Sequence, residues 1–314
     1  MKFKNILITG GTGFVGSNLT RRLVNMGYQP SLIIRKQSNR WRLKDIIDKI
    51  NWIEADLTDY QKLKRNLKQF HPEYIYHLAA YGTNQTTEND IQKSLYTNIQ
   101  GSLNLAKICC NLGFKYFVNT GSSSEYGINY EPMKEEDILK PINFYGVSKA
   151  SQTLGLNAFL SKYRFPNVTL RLFSPYGYYE SLNKFISSVI LGYFKGIDLN
   201  LSRRNYVRDF IFIDDVVDAY LYFLKGKKYY GEIFNIGSGK QTKLGEVIKL
   251  IEQISKKQVG ITWNTYKSNQ VEPISWKANI GKAKKYLNWQ PKVNLYKGLT
   301  KTYIWYKNTY DKSK

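Results

Sequence analysis

The chain has 314 residues, 42% of them hydrophobic and 15% aromatic, with 47 lysine and arginine residues against 24 aspartate and glutamate residues and a formal net charge of +23. This length and apolar content exclude a mini-protein and a disordered chain, and they allow one large domain or two closely joined domains. The two cysteines are adjacent, which excludes a disulfide scaffold and indicates a reducing compartment. The N-terminal apolar run is too short for a signal peptide, and no stretch approaches the roughly 20 apolar residues that cross a bilayer. We therefore expect a cytoplasmic protein without membrane insertion.

The excess of positive charge indicates an acidic partner, such as nucleic acid, an anionic membrane or a phosphorylated small molecule. Most lysines are spread singly along the chain, and clusters such as Lys227-Lys228 and Lys256-Lys257 are short. None forms the block of like charge that is typical of a nucleic-acid-binding tail. The charge pattern therefore favours a phosphate-bearing small ligand over DNA or RNA. RNA binding through the basic surface is kept as an alternative, which predicts steeply salt-dependent retention on nucleic acid.

The first half of the chain alternates short apolar runs with helical patterns. The runs predict strands at 5–9, 31–34, 52–53, 74–77, 116–119 and 167–172. The helical patterns lie at 14–26, 57–70, 97–112 and 145–163. Alternation of this kind predicts an α/β fold with a doubly wound parallel sheet, because each crossover helix returns the chain to a parallel neighbour.

After Pro175 the pattern becomes irregular and rich in aromatic residues. It predicts helices at 182–194, 214–224, 244–255 and 295–310, and strands at 207–213 and 232–236. We expect a smaller C-terminal α/β lobe that binds the substrate, made of 175–206 and 241–314. The dinucleotide-binding domain is expected at 1–174, with about 207–240 returning to the sheet.

A glycine-rich segment directly follows the first strand and opens the first helix, the position where a G-x-G-x-x-G motif has a physical meaning. Glycine permits the tight turn and the close approach of a pyrophosphate, and the helix N-terminus supplies partial positive charge. The motif predicts a Rossmann-type dinucleotide site, with an ordinary turn as the alternative. Its predicted cofactor contacts are Gly10, Gly13, Phe14, Val15 and Gly16.

The end of the second strand discriminates between the two nicotinamide cofactors. NAD-binding sites usually have an acid there for the ribose hydroxyls, whereas Arg35 and Lys36 occupy this position, followed by Arg40 and Arg42. Cationic side chains suit a 2′-phosphate, so NADP(H) is favoured over NAD(H); the alternative is that they belong to the general basic surface. Past the third strand, Asp56-Leu57 is predicted to contact the adenine, with a helix N-cap as the alternative for Asp56.

Tyr145 and Lys149 are four residues apart and therefore share one face of a predicted helix. A cation beside a phenol favours the phenolate, so we expect the pKa of Tyr145 to be lowered from its usual value near 10. Such a tyrosine can pass a proton to or from a substrate oxygen while hydride moves at carbon. A serine-rich loop, 120–127, follows the fifth strand, where a hydroxyl group can hold the reacting oxygen. No spacing of His, Cys, Asp and Glu resembles a metal site.

Together these motifs resemble the extended short-chain dehydrogenase/reductases that modify nucleotide-activated sugars. The resemblance also uses the segments His77-Leu78-Ala79-Ala80, Asn98 with Gly101, Arg208-Asp209-Phe210 and Asp214-Asp215-Val216. It implies that Tyr145 is the acid/base, that Lys149 binds the nicotinamide ribose and tunes Tyr145, and that Ser122 bonds the reacting oxygen. It adds Leu78, Ala79, Ala80 and Asn98 to the cofactor contacts. It also implies a homodimer through a four-helix bundle of the helices at 92–112 and 144–162.

The subfamily is indicated by the serine loop. Dehydratases of this family carry Asp-Glu directly after the catalytic hydroxyl, whereas this chain has Ser123-Ser124, so dehydration is not expected. The loop resembles that of GDP-4-keto-6-deoxymannose reductases, and the segments 81–83 and 208–221 are similar to CDP-4-keto-6-deoxyhexose reductases of the CDP-abequose synthase type. The substrate contacts implied by the resemblance are Thr83, Ser123, Ser124, Ser174, Lys184, Arg208 and Asn269. Ser174 and Asn269 depart from the asparagine and arginine of many relatives, which leaves the nucleobase and the sugar open.

We therefore expect an NADPH-dependent reductase of a nucleotide-linked 4-keto sugar, which supplies building blocks for surface polysaccharide. The alternative within the class is a 4-epimerase with tightly held NAD. A second alternative is a non-catalytic dinucleotide-binding sensor, which would have no use for a tuned phenol.

Overall fold

The computed structural model describes residues 4–82, 87–265 and 275–311. The chain forms two compact units, called unit 1 and unit 2 below. Unit 1 consists of Met1–Gly127, Ile138–Leu172 and Val217–Phe234, and unit 2 consists of Ile128–Asp137, Phe173–Val216 and Asn235–Lys314. The assignment of separate domains to cofactor and substrate stays a prediction.

Unit 1 is built on a parallel sheet. Its strands are β1 (Ile6–Thr9), β2 (Ser31–Ile34), β3 (Asn51–Glu54), β4 (Tyr74–His77), β5 (Tyr116–Ser122) and β6 (Asn167–Leu172). Its helices are α1 (Phe14–Asn25), α2 (Tyr60–Leu67), α3 (Glu88–Leu95), α4 (Ser102–Leu112) and α5 (Phe144–Lys162), with a 3₁₀ segment at Trp41–Lys49. The pairs from β6 through β5, β4, β1 and β2 to β3 are all parallel.

The later elements continue both units. They are the strands β7 (Ser174–Tyr176), β8 (Leu199–Asn200), β9 (Val207–Arg208), β10 (Phe210–Phe212), β11 (Tyr230–Ile236), β12 (Thr242–Lys243) and β13 (Ile261–Thr262). The helices are α6 (Phe185–Lys195), α7 (Ile213–Leu221), α8 (Leu244–Ser255), α9 (Gly281–Leu287) and α10 (Leu295–Asp311). Strand β11 completes a seven-stranded sheet in the order β11-β6-β5-β4-β1-β2-β3. The predicted Rossmann-type sheet is confirmed.

The core of unit 1 lies between the sheet and its helices. Leu7, Ile75 and Phe117 from the central strands are fully buried, and they pack in one cluster with Leu105 of α4 and Leu156 of α5. Strands covered on both faces read as continuous apolar runs, which is why they were recognisable in the sequence. Because all six strands point the same way, their carboxyl ends lie along one edge of the sheet, where ligands bind in folds of this kind.

Two predicted elements are wrong in extent. The predicted strand at 207–213 is split into β9, which pairs with β12, and β10, which pairs with β7. The cause is Asp209 between them, whose buried carboxylate accepts hydrogen bonds from the backbone of Ser238, Gly239 and Ala278 and so draws the chain out of a straight strand. The predicted helix at 57–70 is shorter, because its cap is Asp59, which accepts a bond from the Lys62 N–H at 3.0 Å.

The predicted long helix at 92–112 is also interrupted. Between α3 and α4 the chain forms a π-helical turn, Tyr96–Gly101. Such wide turns are rare and concentrate at functional sites. The turn brings Gly101 so close to Leu57 that a Cβ on Gly101 would lie 3.0 Å from the Leu57 Cβ.

In unit 2, a buried carboxylate makes stability depend on pH. Burial raises the pKa of Glu180 to about 7, although a hydrogen bond from the Ser187 hydroxyl opposes the shift. Between pH 4.5 and 7 the folded chain therefore holds a proton that the unfolded chain has released, so folding stability falls as the pH rises through this window.

We expect Glu180→Gln, which has no charge to bury, to be more stable than the wild type at pH 8 by up to a few kcal/mol and to lose this advantage at pH 4.5. Urea unfolding of both proteins at the two pH values measures the difference. An equal difference at both pH values contradicts the assignment.

Candidate active site

The turn between β1 and α1 consists of glycines because its backbone passes too close to its neighbours for a side chain. Gly10 has φ +69°, and a Cβ there would lie 2.6 Å from backbone atoms of Leu78 and Ala79. A Cβ at Gly16 would lie 2.1 Å from the carbonyl oxygen of Gly10. The first turn of α1, which starts with the predicted contacts Phe14 and Val15, has neither an acidic residue nor a side-chain cap. Its N–H groups and partial positive charge are therefore suited to a phosphate, and the turn fits a dinucleotide pyrophosphate.

The loop after β4 lies against the glycine turn. The Leu78 N–H donates to the carbonyl oxygen of Thr9 at 3.1 Å, and the Ala79 N–H donates to the Thr9 hydroxyl at 3.2 Å. The same hydroxyl shares a 2.7 Å bond with His77 Nδ1, and His77 Nε2 lies 2.7 Å from the Ser102 hydroxyl. Burial lowers the pKa of His77 to about 3, so its ring is neutral and serves as a structural bridge.

Basic residues follow β2 at the position predicted to contact the adenosine ribose. Arg35 and Lys36 directly follow the strand and are exposed. Arg42, in the 3₁₀ segment, donates from Nη1 to the carbonyl oxygen of Thr12 in the glycine turn at 3.4 Å, and its guanidinium carbon lies 4.5 Å from the centre of the Trp41 ring. In the sequence Arg42 is only one member of a basic run, because its approach to the glycine turn depends on the fold of the 3₁₀ segment.

Asp56 and Leu57 follow β3 as predicted. One carboxylate oxygen of Asp56 accepts bonds from the backbone N–H and the hydroxyl of Thr58, at 2.9 and 2.7 Å. The alternative that Asp56 caps α2 is wrong, since Asp59 does so. Leu57 is buried against Gly101 of the π-helical turn.

Asn98 lies inside the π-helical turn and is fully buried. Its side-chain oxygen accepts from the Tyr81 N–H at 2.7 Å, and its amide nitrogen lies 3.2 Å from the Tyr81 carbonyl oxygen and 3.0 Å from the Ser148 hydroxyl. Asn98 therefore joins the loop after β4 to helix α5. Its predicted contact with the cofactor, like that of Ala80, stays a prediction.

Ser122 and Tyr145 come together at the end of β5. Ser122 begins a 3₁₀ turn, and its hydroxyl accepts a bond from the Ser124 N–H at 3.1 Å. It is also hydrogen-bonded to the side chain of Tyr145, which stands in the first turn of α5. That helix begins beside the serine turn because Gly146 has no side chain: a Cβ there would lie 2.4 Å from the Ser124 carbonyl oxygen. Ser123, also a predicted substrate contact, is buried.

Lys149 is buried one helical turn after Tyr145. Its ammonium group donates to the carbonyl oxygen of Thr120 at 2.6 Å and to the side-chain oxygen of Gln152. The hydroxyl of Thr120 in turn lies 2.6 Å from that of Tyr220. Thr120 belongs to the predicted serine-rich loop, whereas Gln152 and Tyr220 are functional candidates that sequence reasoning missed. Gln152 is one polar residue of a long helical pattern, and Tyr220 reaches the site through a contact between residues 100 apart in sequence.

The expected lowering of the Tyr145 pKa is wrong for this structure. Burial raises the pKa of Tyr145 to about 12, outweighing the opposing effect of the hydrogen bond with Ser122. Burial also lowers the pKa of Lys149 to about 8. The physical reason is that withdrawal from water penalises both the phenolate form of Tyr145 and the ammonium form of Lys149. The ammonium group itself is bonded to Thr120 and Gln152. The tyrosine is therefore a neutral phenol at neutral pH, able to donate a proton.

Unit 2 holds the other predicted substrate contacts. Ser174 lies in β7, and Lys184 is exposed at the N-terminal end of α6. Arg208 lies in β9, donates to the carbonyl oxygen of Val207 at 2.8 Å, and has its guanidinium carbon 5.9 Å from the centre of the Trp276 ring. Thr83 and Asn269 lie outside the described residues.

Within the described parts of the chain, no group of three or more His, Cys, Asp and Glu side chains could hold a metal ion. None of the described helices combines the length and the apolar character needed to cross a membrane.

Comparison with known proteins gives consistent matches over almost the whole chain. The sequence model described as the NAD dependent epimerase/dehydratase family matches residues 6–237. An uncharacterized protein of Methanocaldococcus jannaschii is 31% identical, over 98% of this chain and 97% of that protein. The UDP-glucose 4-epimerase of Thermotoga maritima, solved with UDP-glucose, has a TM-score of 0.88 at 28% identity, over 98% of this chain and 99% of that one. The UDP-glucuronic acid 4-epimerase of Bacillus cereus, solved with UDP-glucuronic acid and NAD, has a TM-score of 0.87 at 27% identity, over 98% and 100%.

The glycine turn supplies a direct test of the pyrophosphate site. We expect Gly16→Ala to lower the free energy of unfolding by about 2 kcal/mol or more, because the new Cβ overlaps the Gly10 carbonyl and displaces α1. The same displacement is expected to weaken dinucleotide binding at least tenfold. Urea unfolding and titration with NADPH measure the two effects.

Gly155→Ala is the matched control, also in a helix. A Cβ there meets only the Leu103 side chain at 3.8 Å, an ordinary contact. Since alanine has the higher helix propensity, this variant is expected to gain up to about 1 kcal/mol and to bind NADPH normally. Equal stability of the two variants would refute the close approach at Gly16.

Proposed function

The chain belongs to the NAD dependent epimerase/dehydratase family, as an enzyme acting on nucleotide sugars, and we propose that it reduces the 4-keto group of a nucleotide-activated 6-deoxy sugar with NADPH. The observation that carries the proposal is the basic edge of the glycine turn. Arg35 directly follows β2 where NAD-binding sites usually have an acid, and Arg42 reaches the Thr12 carbonyl oxygen. A guanidinium group suits a 2′-phosphate through paired, charge-assisted hydrogen bonds.

A preference for NADPH favours a reductase for a chemical reason. A 4-epimerase returns to the sugar the hydride that it takes, so it keeps one cofactor molecule through many cycles. A reductase consumes a hydride in each cycle and must exchange its cofactor with the cell. A site that selects the 2′-phosphate therefore fits net reduction.

The residues around β5 and α5 fit the proton transfer that this reaction needs. The dinucleotide, when bound at the glycine turn, supplies the hydride. Tyr145, held as a neutral phenol by burial, donates its proton to the sugar oxygen as negative charge develops there. Ser122, hydrogen-bonded to Tyr145, orients that oxygen and stabilises its charge. Lys149, whose ammonium group is anchored on Thr120, binds the nicotinamide ribose and favours proton release from Tyr145.

For the substrate, we propose that Arg208 binds the diphosphate and that Ser174 and Lys184 contribute to nucleotide binding. Ser123 and Ser124 replace the Asp-Glu pair of the dehydratases, and hydroxyl groups cannot move the C5 and C6 protons that dehydration requires. Thr83 and Asn269 are included as proposed substrate contacts. The product, a reduced deoxysugar nucleotide, is a building block for surface polysaccharide.

We also propose that the protein is a cytoplasmic homodimer formed through the helical segments 92–112 and 144–162. The exposed apolar side chains Val147 and Leu154 of α5 and Tyr96 of the π-helical turn support this contact.

A second candidate, 4-epimerisation with retained NAD, is supported by the relatives, since both solved structures compared above are 4-epimerases. The two functions differ in cofactor turnover and are separable by experiment.

We expect the wild type to oxidise NADPH with at least one member of a panel of 4-keto-6-deoxy sugars linked to UDP, dTDP, GDP or CDP. Tyr145→Phe is expected to lower kcat by about a hundredfold to ten-thousandfold, since it removes the proton donor, and to leave NADPH affinity within a few-fold of wild type. Absorbance at 340 nm measures the first effect and fluorescence titration the second. NAD retained through purification, with interconversion of 4-hydroxy sugars and no NADPH oxidation, identifies an epimerase instead.

The cofactor preference has its own test. The double variant Arg35→Gln/Arg42→Gln is expected to lose tenfold or more of its affinity for 2′,5′-ADP, a probe of the 2′-phosphate, because the charged partners of that phosphate are removed. Its affinity for 5′-AMP is expected to change less, since the lost bond from Arg42 to the Thr12 carbonyl oxygen affects both probes alike. Calorimetric titration measures both. Arg40→Gln is the control, because its guanidinium lies 4.6 Å from the centre of the Trp52 ring. A wild type that binds both probes equally excludes the NADPH preference.

A further inference from the structure

A buried carboxylate beneath Ser122 has no part in the mechanism above. Glu125 is completely buried, and one of its oxygens accepts from the Ser122 N–H at 2.8 Å and from the Thr153 hydroxyl at 3.1 Å. Its other oxygen accepts from Arg171 Nε at 2.8 Å, and the two side chains form an ion pair without access to water. One carboxylate thus joins three elements: the end of β5, helix α5 one turn beyond Lys149, and strand β6.

The surroundings are shaped for this group. A Cβ on Gly121 would lie 2.7 Å from the Glu125 carboxylate and 3.0 Å from Arg171 Cγ, so the residue before Ser122 has to be glycine while the pair is present. The Arg171 guanidinium carbon lies 4.6 Å from the centre of the Tyr126 ring, which covers its face. Gly121 and the Tyr126 ring therefore both lie directly against this ion pair.

Stability alone does not account for such a pair. Replacement of a buried ion pair by apolar side chains is often neutral or stabilising, because each charge loses its hydration on folding. What an apolar pair cannot do is accept the Ser122 N–H and the Thr153 hydroxyl at once. The carboxylate sets the orientation of the residue that carries the reacting hydroxyl.

We propose that Glu125 is a positioning residue, which holds Ser122 against Tyr145 and fastens β5 to α5, with Arg171 fixing the carboxylate in place. This inference rests on the proposed roles of Ser122, Tyr145 and Lys149, but applies equally to reduction and to epimerisation. The charge of Glu125 also acts on its neighbours. It raises the pKa of Tyr145, adding to the larger effect of burial, and it raises the pKa of Lys149, opposing the larger effect of burial.

Several other groups face this cluster. Arg171 and Tyr126 adjoin the carboxylate, His77 of β4 is sensitive to the charge of Lys149, and Tyr220 of α7 is sensitive to that of Tyr145. The same residues are present in wild type and in a variant at Glu125, so a difference between the two proteins arises from loss of the carboxylate, including its effect on Arg171.

The decisive variant is Glu125→Gln. Its single acceptor oxygen can serve Arg171 or Ser122, whereas the carboxylate serves both. We expect kcat to fall between about tenfold and a hundredfold, KM to stay within about threefold, and NADPH affinity to be unchanged, since misplacement of a reacting group acts mainly on the chemical step. The pH profile of kcat is expected to move to lower pH, because the negative charge that favours protonated Tyr145 and Lys149 is removed. Glu180→Gln, at the buried carboxylate of unit 2, is the matched control and is expected to change neither kcat nor the profile.

A measurement without substrate completes the test. NMR of the protein with isotope-labelled lysine, recorded across a pH series, reports the ionisation midpoint of Lys149 without access of a reagent, and this midpoint is expected to be lower in Glu125→Gln than in wild type. A merely structural residue would alter the urea midpoint and leave this ionisation unchanged. Unchanged kcat together with an unchanged Lys149 midpoint overturns the inference. If the wild type reduces no keto sugar but epimerises one, the proposed function fails and kcat is measured on the epimerisation instead.

If Glu125→Gln does not fold, the variant Thr153→Val tests the positioning role of Glu125 instead. It keeps the charge and the bond to Ser122, but removes the bond from α5 to the carboxylate. We expect a two- to fivefold lower kcat with unchanged KM and an unchanged Lys149 midpoint. Wild-type kcat in a folded Thr153→Val protein overturns the inference.

Discussion

The withdrawal of ionisable side chains from water between β5 and α5 is the constraint on which the candidate site depends. A buried charge is tolerated only where the protein replaces its lost hydration. The Lys149 ammonium group therefore takes the Thr120 carbonyl oxygen and the Gln152 side chain, and the Glu125 carboxylate takes Arg171 and the Ser122 N–H. Each of these bonds fixes an atom near the reacting groups, so the need to satisfy buried charge also orients the site before a ligand arrives.

The same burial determines the protonation states of Tyr145 and Lys149 at neutral pH. With its pKa raised to about 12, Tyr145 holds its proton at neutral pH, while Lys149, with its pKa lowered to about 8, remains mostly charged. The pair therefore consists of a protonated phenol and a mostly charged ammonium group one helical turn away. Spacing four residues apart on a helix brings the two side chains to one face, but it does not decide their pKa values, because those depend on solvent access and on partners from other elements.

Much of the fold and part of the site can be predicted from the sequence. The features that can be predicted differ physically from those that cannot. Strands covered on both faces are continuous apolar runs, and the turn at Gly10 and Gly16 admits no side chain, so both are visible locally. The π-helical turn at Asn98, the split of a predicted strand at Asp209 and the approach of Arg42 to the glycine turn are not, because each depends on hydrogen bonds to residues far away in sequence. The role of Glu125 is not recognisable in the sequence for the same reason, because it depends on the ion pair with Arg171, 46 residues later.

The protonation state of Tyr145 matters at a different step in reduction and in epimerisation. Epimerisation begins with removal of a proton from a sugar hydroxyl, which requires a phenolate, and an oxidised nicotinamide ring carries the positive charge that favours one. Reduction begins with a neutral ring and a carbonyl oxygen that needs a proton, which the phenol already holds. Burial has the largest effect on the pKa of Tyr145 and keeps the proton on the phenol oxygen. The hydrogen bond with Ser122 favours ionisation, and the charge of Glu125 opposes it. Burial therefore leaves Tyr145 as a proton donor, and this state serves both reactions, because an epimerase also returns a hydride and a proton to a 4-keto sugar in the second half of its cycle.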